Sequence, residues 1–312
     1  MTPTLVVMAA GLATRFGRPK QLVPVGPSGE ALMDYTILDA VRGGFGRVVI
    51  VTRAELEADL RAHAGDVIGD AVPVDWAIQR LDDLPAGCPM PAGRLRPWGT
   101  AHALLAARHH GTGAFAACNA DDYYGPGGFP LLAGHFTRTA DASPPVHALT
   151  GYRLDRTLSP HGGVARAVAT TDAAGNLSRL VEALDLRADA ATGSITGRSV
   201  TGEPLVFRGD ELASMNLWGF GPAVFAALEA QLAAFLAGEG QTADGELRVS
   251  EAIGEQVTAG TAQVRVLAAP DRWFGMTYAA DLPAARESIA ALIRAGAYPG
   301  DLRAGFAELA TR

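Results

Sequence analysis

Lys20 is the only lysine among 26 basic residues; the other 25 are arginine. Arginine is a planar fork and lysine a compact point charge, so the exception singles out one position. Lys20 sits near the end of the run Ala9-Ala10-Gly11-Leu12-Ala13-Thr14-Arg15-Phe16-Gly17-Arg18-Pro19-Lys20-Gln21. Small residues at 9–11 let backbone approach a ligand closely, and successive N–H groups there can cradle a phosphate. Arg15 and Lys20 add positive charge, and Pro19 stiffens the chain just before Lys20. No acid precedes Glu30, although the formal net charge is −7, so positive potential is concentrated at the start of the chain. The spacing is not a Walker loop, because five residues separate Gly11 and Gly17 where that motif has four. The Gly-x-Gly-x-x-Gly dinucleotide fingerprint is absent too.

Asp121 and Asp122 form a second centre. Carboxylate oxygens suit Mg²⁺, a hard cation that keeps several waters. The alternative is a plain turn capped by two aspartates. Gly99-Thr100 opens a helix, with Thr100 as its cap and bare backbone where a base or ribose can approach. Gln79 follows a strand and can read a base edge through its amide. Trp98 is assigned to the core. Glu182 and Asn216 can exchange hydrogen bonds with hydroxyl groups, or stand as a solvated Glu and a turn Asn. Gly162-Gly163 permits close approach of a ring, or marks a bulge. His102, His135 and His161 have no metal spacing and are assigned structural roles.

The elements that must position these groups follow from periodicity. Apolar runs predict strands at 4–9, 47–52, 72–78 and 114–119, and helical spacing predicts helices at 31–42, 54–64 and 100–110. Residues 79–97, with four prolines and two glycines, read as a long excursion. The β-α alternation predicts a parallel, doubly wound sheet, with ligands at the C-terminal ends of its strands. Strands are expected at 146–152, 164–170, 177–184, 213–220 and 263–267, a hairpin within 185–210, and helices at 222–237, 249–259 and 282–295. The N-terminal half ends near residue 125, and a mixed α+β half, 126–312, completes the same sheet in one domain.

The 312 residues are 48% hydrophobic and 19% charged, which supports a sizeable core and argues against disorder or a coiled coil. Apolar runs such as 5–10 fall far short of the ~20 residues of a membrane span, and no basic residue precedes that run as in a signal peptide. Cys88 and Cys118 cannot build a disulfide framework or a zinc cluster. Location in the cytoplasm and no membrane partner are the expectations. The negative charge argues against nucleic acid. The apolar helix at 222–237 could pack internally or join subunits, so a homo-oligomer is left open.

The loop resembles the opening of the sugar-phosphate nucleotidyltransferases, the NDP-sugar pyrophosphorylases. Trp98-Gly99-Thr100-Ala101-His102-Ala103, Asn119-Ala120-Asp121-Asp122, Gly163-Val164, Val181-Glu182 and Ser214–Phe220 are similar to further segments of that family, in the same order; Asp271–Gly275 matches more loosely. The resemblance implies a Rossmann-like doubly wound mixed sheet of the nucleotidyltransferase, GT-A-like kind, with a sugar-binding half. It implies the Mg²⁺-dependent reaction of an NTP with a sugar 1-phosphate, giving an NDP-sugar and pyrophosphate. Carried over, Arg15 and Lys20 are catalytic. Ala9, Ala10, Gly11, Gln79, Gly99 and Thr100 bind nucleotide. Gly163, Glu182 and Asn216 bind the sugar phosphate, and Asp121, Asp122 and Asp271 serve the metal, with Asp121 the direct ligand. Two positions depart from the pattern. The family's sugar-phosphate lysine is Ala183, for which Arg179, Arg187 or Arg166 could substitute, and its second metal carboxylate falls at Gly275. A cytidylyltransferase acting on a non-sugar phosphate (a polyol or isoprenoid precursor) and a non-catalytic nucleotide-sugar-binding regulator are the competing readings.

Overall fold

In the computed structural model the described residues are 2–11, 19–110, 113–189, 192–238, 244–276 and 278–311. Arg15 lies outside them. The first strand, β1 (Thr4–Met8), shows how the core is built. Leu5 and Val7 pack into the cluster on one face of the sheet, and Val6 and Met8 into the cluster on the other. β2 (Arg47–Thr52) does the same, with Val48 and Ile50 on one side and Val49 and Val51 on the other. Strands covered on both faces read as continuous apolar runs because the side-chain period is two.

β1 pairs in parallel with β2 and with β4 (Phe115–Asn119), and β2 pairs in parallel with β3 (Val74–Ile78). The crossovers carry α1 (Leu32–Arg42), α2 (Ala54–Val67) and α3 (Thr100–Ala106). Beyond β4 comes a two-residue strand, β5 (Asp122–Tyr123), and then α4 (Gly128–Thr139). The sheet continues from β4 into the second half through β11 (Leu212–Phe220), which runs antiparallel to β4. β11 also pairs with β6 (Val146–Arg153) and β7 (Val164–Thr171), and β7 leads outward to β8 (Leu177–Ala188). β9 (Ile195–Ser199) and β10 (Pro204–Phe207) extend this edge, so the hairpin expected within 185–210 is a meander continuing β8. After α5 (Val224–Ala237) and α6 (Val249–Thr258), β12 (Gln263–Ala268) joins β6 in parallel. One 11-stranded mixed sheet results. A separate two-stranded ladder joins β5 to β13 (Phe274–Gly275), and α7 (Leu282–Arg294) and α8 (Leu302–Ala310) follow. None of the described helices is long and apolar enough to cross a membrane. Trp98 is fully buried, as assigned.

The antiparallel strand β11 supplies the irregularity that shapes the site. Its register against β6 shifts between Ser214 and Trp218, and Asn216 takes φ 63°. Asparagine tolerates this left-handed geometry better than most residues, and a bulge re-aims its neighbours.

Candidate active site

A cleft of about 730 Å³ opens at the C-terminal ends of β1 and β4 and runs across to β7, β8 and β11. Of the residues singled out from sequence, Ala10, Gly11, Lys20, Gln79, Gly99, Thr100, Asp121, Asp122, Glu182 and Asn216 line it. Residues spread over more than 200 positions converge: the parallel strands β1 and β4 end at the same edge of the sheet, and the antiparallel strands β8 and β11 bring Glu182 and Asn216 to it.

Three expected residues are not brought to the cleft lining. Ala9 is fully buried, and its N–H donates to the Val51 carbonyl at 2.7 Å, so that donor is spent in the sheet. Gly163 accepts from the Tyr278 hydroxyl at 2.9 Å, and the space beside its Cα is filled by the Asp185 side chain. Asp271 accepts from the Gly127 N–H at 2.6 Å and packs under the turn at 125–127.

Lys20 starts a single helical turn, Lys20–Leu22, immediately after Pro19. Its Nζ donates to Asp121 Oδ2 at 2.5 Å. Gln21 is buried, and its Nε2 donates to the Gly11 carbonyl at 3.2 Å, tying the end of β1 to the Lys20–Leu22 turn. Asp121 and Asp122 stand in different surroundings. Asp121 is partly open and meets Lys20. Asp122 is buried, and its Oδ2 accepts from Asn119 Nδ2 at 2.8 Å and from the Tyr124 hydroxyl at 3.3 Å. Burial first, and the charge of Asp121 second, push the Asp122 carboxyl up to about 7. Gly275 faces Asp122 in the β5–β13 ladder, and a Cβ added there would overlap Asp122 Oδ1. The side-chain space at position 275 is therefore taken by the Asp122 carboxylate.

Among the described residues no group of three or more His, Cys, Asp or Glu could hold a metal by itself. The donor set still fits Mg²⁺. One cleft-facing carboxylate suffices when substrate phosphates and waters complete the octahedron. Asp121 already faces a cation, the Lys20 ammonium.

Gly99 caps α3 with φ 97° and ψ −177°, a conformation essentially reserved for glycine. A Cβ there would also stand 2.8 Å from the Leu247 backbone nitrogen. Leu247 donates to the Trp98 carbonyl at 2.9 Å and accepts from Ala101 at 3.1 Å, so the segment before α6 is clamped onto the α3 start. Thr100 does not cap its own helix as expected. Its hydroxyl accepts from the Val249 N–H at 3.0 Å, at the start of α6. Gln79 is buried and directs its Nε2 to the Gly99 carbonyl at 3.4 Å and to His102 Nδ1 at 3.1 Å.

At the far end, Arg166 is the one of the three considered arginines that lines the cleft; Arg187 is exposed and pairs with Asp185. The Arg166 guanidinium donates from Nε and Nη2 to the Thr157 carbonyl, at 3.2 and 2.6 Å, and from Nη1 to the Ala165 carbonyl at 2.7 Å. It lies 5.0 Å from the centre of the Trp273 ring. Its partners are thus neutral, and no carboxylate among the described residues forms an ion pair with it. Burial lowers its pKa to about 10, opposed by Asp122 and Glu182, so it stays cationic near neutral pH. Glu182 is pushed above its ordinary range by burial, with Arg248 pulling the other way. Trp273, in the loosely matching segment Asp271–Gly275, also lines the cleft, as do Arg96, Glu246 and Arg248, which carried no signal in the sequence. They sit in irregular or late segments, without a motif.

Residues 5–80 match the model of the MobA-like NTP transferase domain. No curated protein matches the chain. Among solved structures, the inositol-1-phosphate CTP transferase from T. maritima has a similar fold, with a TM-score of 0.59 at 13% sequence identity, covering 94% of this chain and 96% of that one. The sequence likeness to an NTP transferase domain is thus confined to residues 5–80, and over the whole chain the α/β fold is like that of the inositol-1-phosphate CTP transferase.

Proposed function

We propose that the chain transfers a nucleotidyl group from an NTP to a sugar 1-phosphate, forming an NDP-sugar and releasing pyrophosphate. The observation that carries this reading is one cleft with the Lys20 ammonium on the Asp121 carboxylate and, at its other end, the Arg166 guanidinium with no carboxylate partner among the described residues. The match at 5–80 to an NTP transferase domain supports nucleotidyl transfer.

An oxygen of the acceptor phosphate attacks the α-phosphorus in line, a new P–O bond forms, and the bond to the β-phosphate oxygen breaks. Little covalent chemistry falls to the protein; positioning and charge stabilisation carry the step. Ala10 and Gly11 line the triphosphate end. Lys20 leaves Asp121 for the phosphate oxygens, where its charge offsets what builds up on the leaving group. Asp121 would hold Mg²⁺, with Asp122 behind it; when bound, the ion neutralises the phosphate oxygens and polarises them. Arg166 meets the acceptor phosphate with the N–H groups its backbone partners leave unused. Glu182 and Asn216 meet the hydroxyl groups.

A second reading, a cytidylyltransferase with a polyol phosphate as acceptor, is favoured by the likeness to the inositol-1-phosphate CTP transferase from T. maritima. Pyrophosphate release over a panel of NTPs and phosphate monoesters tests both. Turnover with sugar 1-phosphates supports the first. Turnover with polyol phosphates alone supports the second. Nucleotide-sugar binding without any turnover overturns both and supports a non-catalytic binder.

A further inference from the structure

Beside the cleft lies a second cavity of about 590 Å³, between β8 and α6. Ala167, Glu182 and Ser250 line both, so the two spaces meet there. On α6 the lining runs from Ser250 past Thr258, a rise of about 12 Å at 1.5 Å per residue. The side cavity is thus a trough leading along α6, away from the acceptor end of the cleft. Its floor is aliphatic. Leu177 is buried, and Leu180 and Val257 pack partly buried against the core. Gly254 stands halfway along, in the interior of α6. A Cβ built there would meet nothing within 4 Å beyond its own stretch of helix. Glycine weakens a helix interior relative to alanine; here its bareness keeps the trough open.

The polar groups around the floor narrow the choice of occupant. Glu182, Glu251 and Glu255 stand against one lining arginine, Arg179, so a phosphate or a second nucleotide would meet a negative wall. Hydroxyl donors are spent on backbone: Ser178 donates to the Thr170 carbonyl at 3.0 Å and Thr258 to the Gly254 carbonyl at 2.9 Å. Glu251 pairs with Arg248 at 2.8 Å, and Glu255 accepts from Gln231 Nε2 at 2.8 Å. What the trough chiefly offers a ligand is its aliphatic floor. We propose that it is a subsite for an uncharged aliphatic substituent of the acceptor, carried on the side remote from the phosphate. The acceptor class is then an alkyl-bearing phosphate, larger than a bare sugar or polyol phosphate. Burying the substituent strengthens binding in proportion to its length, up to that of the trough. The inference rests on the nucleotidyl-transfer reading and adds the acceptor class to it.

The test is pyrophosphate release from the Mg²⁺ complexes of CTP, ATP, UTP and GTP. The acceptors are glucose 1-phosphate, inositol 1-phosphate and their mono-methyl, mono-butyl and mono-hexyl ethers. At one ring position kcat/KM for the acceptor should rise about tenfold or more from methyl to butyl, with KM for the NTP unchanged. Gly254→Leu puts a side chain into the trough and touches no residue assigned to the reaction. It should erase that rise and leave turnover of the unsubstituted acceptor near wild type. Leucine is the better helix former, so the variant should fold. Calorimetry on the wild type needs no variant: the heat capacity change of ether binding should become more negative with chain length. Equal turnover along the series, a heat capacity change independent of length, a rise that survives in folded Gly254→Leu, or a 6-aminohexyl ether that outperforms the hexyl one would each overturn the proposal while leaving nucleotidyl transfer standing. No turnover of any acceptor sinks the reading on which it rests.

Discussion

Lys20 Nζ lies 2.5 Å from Asp121 Oδ2, across 101 positions of sequence. One partner comes from the loop after β1 and the other from the turn after β4. Neighbouring parallel strands bring the two loops together. The lone lysine and the cleft-facing aspartate form a contact that a triphosphate and its metal would separate.

Lys20→Ala should lower kcat by about 10²–10³, the usual loss for one charge-stabilising donor. Both side chains of the pair are partly solvated, so unfolding free energy should change by no more than about 1 kcal/mol. Steady-state kinetics beside a denaturant titration checks both. A variant keeping more than a tenth of wild-type kcat removes Lys20 from the chemistry.

Arg166→Ala should raise KM for the acceptor phosphate by roughly 10- to 100-fold, the loss of a charged hydrogen bond, and leave NTP binding near the wild-type value. Arg166→Lys should not rescue it. An ammonium cannot make three hydrogen bonds to the Thr157 and Ala165 carbonyls and keep a planar face on Trp273. Separate titrations with NTP and with acceptor tell the two ends of the cleft apart, and a matching loss at both ends would refute the assignment.

Gly275→Asp restores a carboxylate where the resembled family has one, and should nevertheless destabilise the protein. The new side chain meets the buried Asp122 carboxylate across the β5–β13 ladder. Like charges forced together in a buried site cost about 2 kcal/mol or more. The partner change Asp122→Asn in the same chain should recover part of the loss, as a thermal-melt double-mutant cycle would show.

Stability should fall as pH rises from about 4 to about 7, through Asp39. Its side chain is buried in α1 and accepts from the Tyr298 hydroxyl at 2.6 Å, while its other oxygen has no hydrogen-bond partner among the described residues. Burial raises its pKa from 3.8 to about 7, against the pull of Tyr298 and Arg42. Between those values the folded chain keeps a proton that the unfolded chain releases. The contribution is fully present below 3.8 and lost as pH climbs through 7. Asp39→Asn should flatten this slope and be the more stable protein at pH 8, by an amount on the order of 2–4 kcal/mol. Denaturant melts of both proteins at pH 5 and pH 8 decide it; equal slopes would exclude Asp39 as the source.

The first strands, their helices, and the residues Lys20, Asp121, Gln79, Gly99 and Glu182 were legible because local signals mark them. Buried parallel strands are short apolar runs, their ends are punctuated by glycine, and a ligand site falls at those ends. The short strands β5 and β13, and the helices α4 and α8, escaped notice. Two-residue strands have no periodicity to detect, and α4 carries a glycine and a proline inside it. Asp271 and Gly163 looked like site residues by type and order, but one serves as a turn acceptor and the other packs on Asp185.

From its letters alone this chain declared an α/β sheet and pointed to the glycine-rich end of its first strand, because periodicity and glycine placement act within a few residues. Tertiary structure alone decided that Arg166 and not Arg179 or Arg187 reaches the cleft, that Asp122 fills the space beside Gly275, and that the Gln79 amide meets His102. Those outcomes depend on which side chains meet across strands and loops far apart in sequence, and no local pattern encodes a meeting.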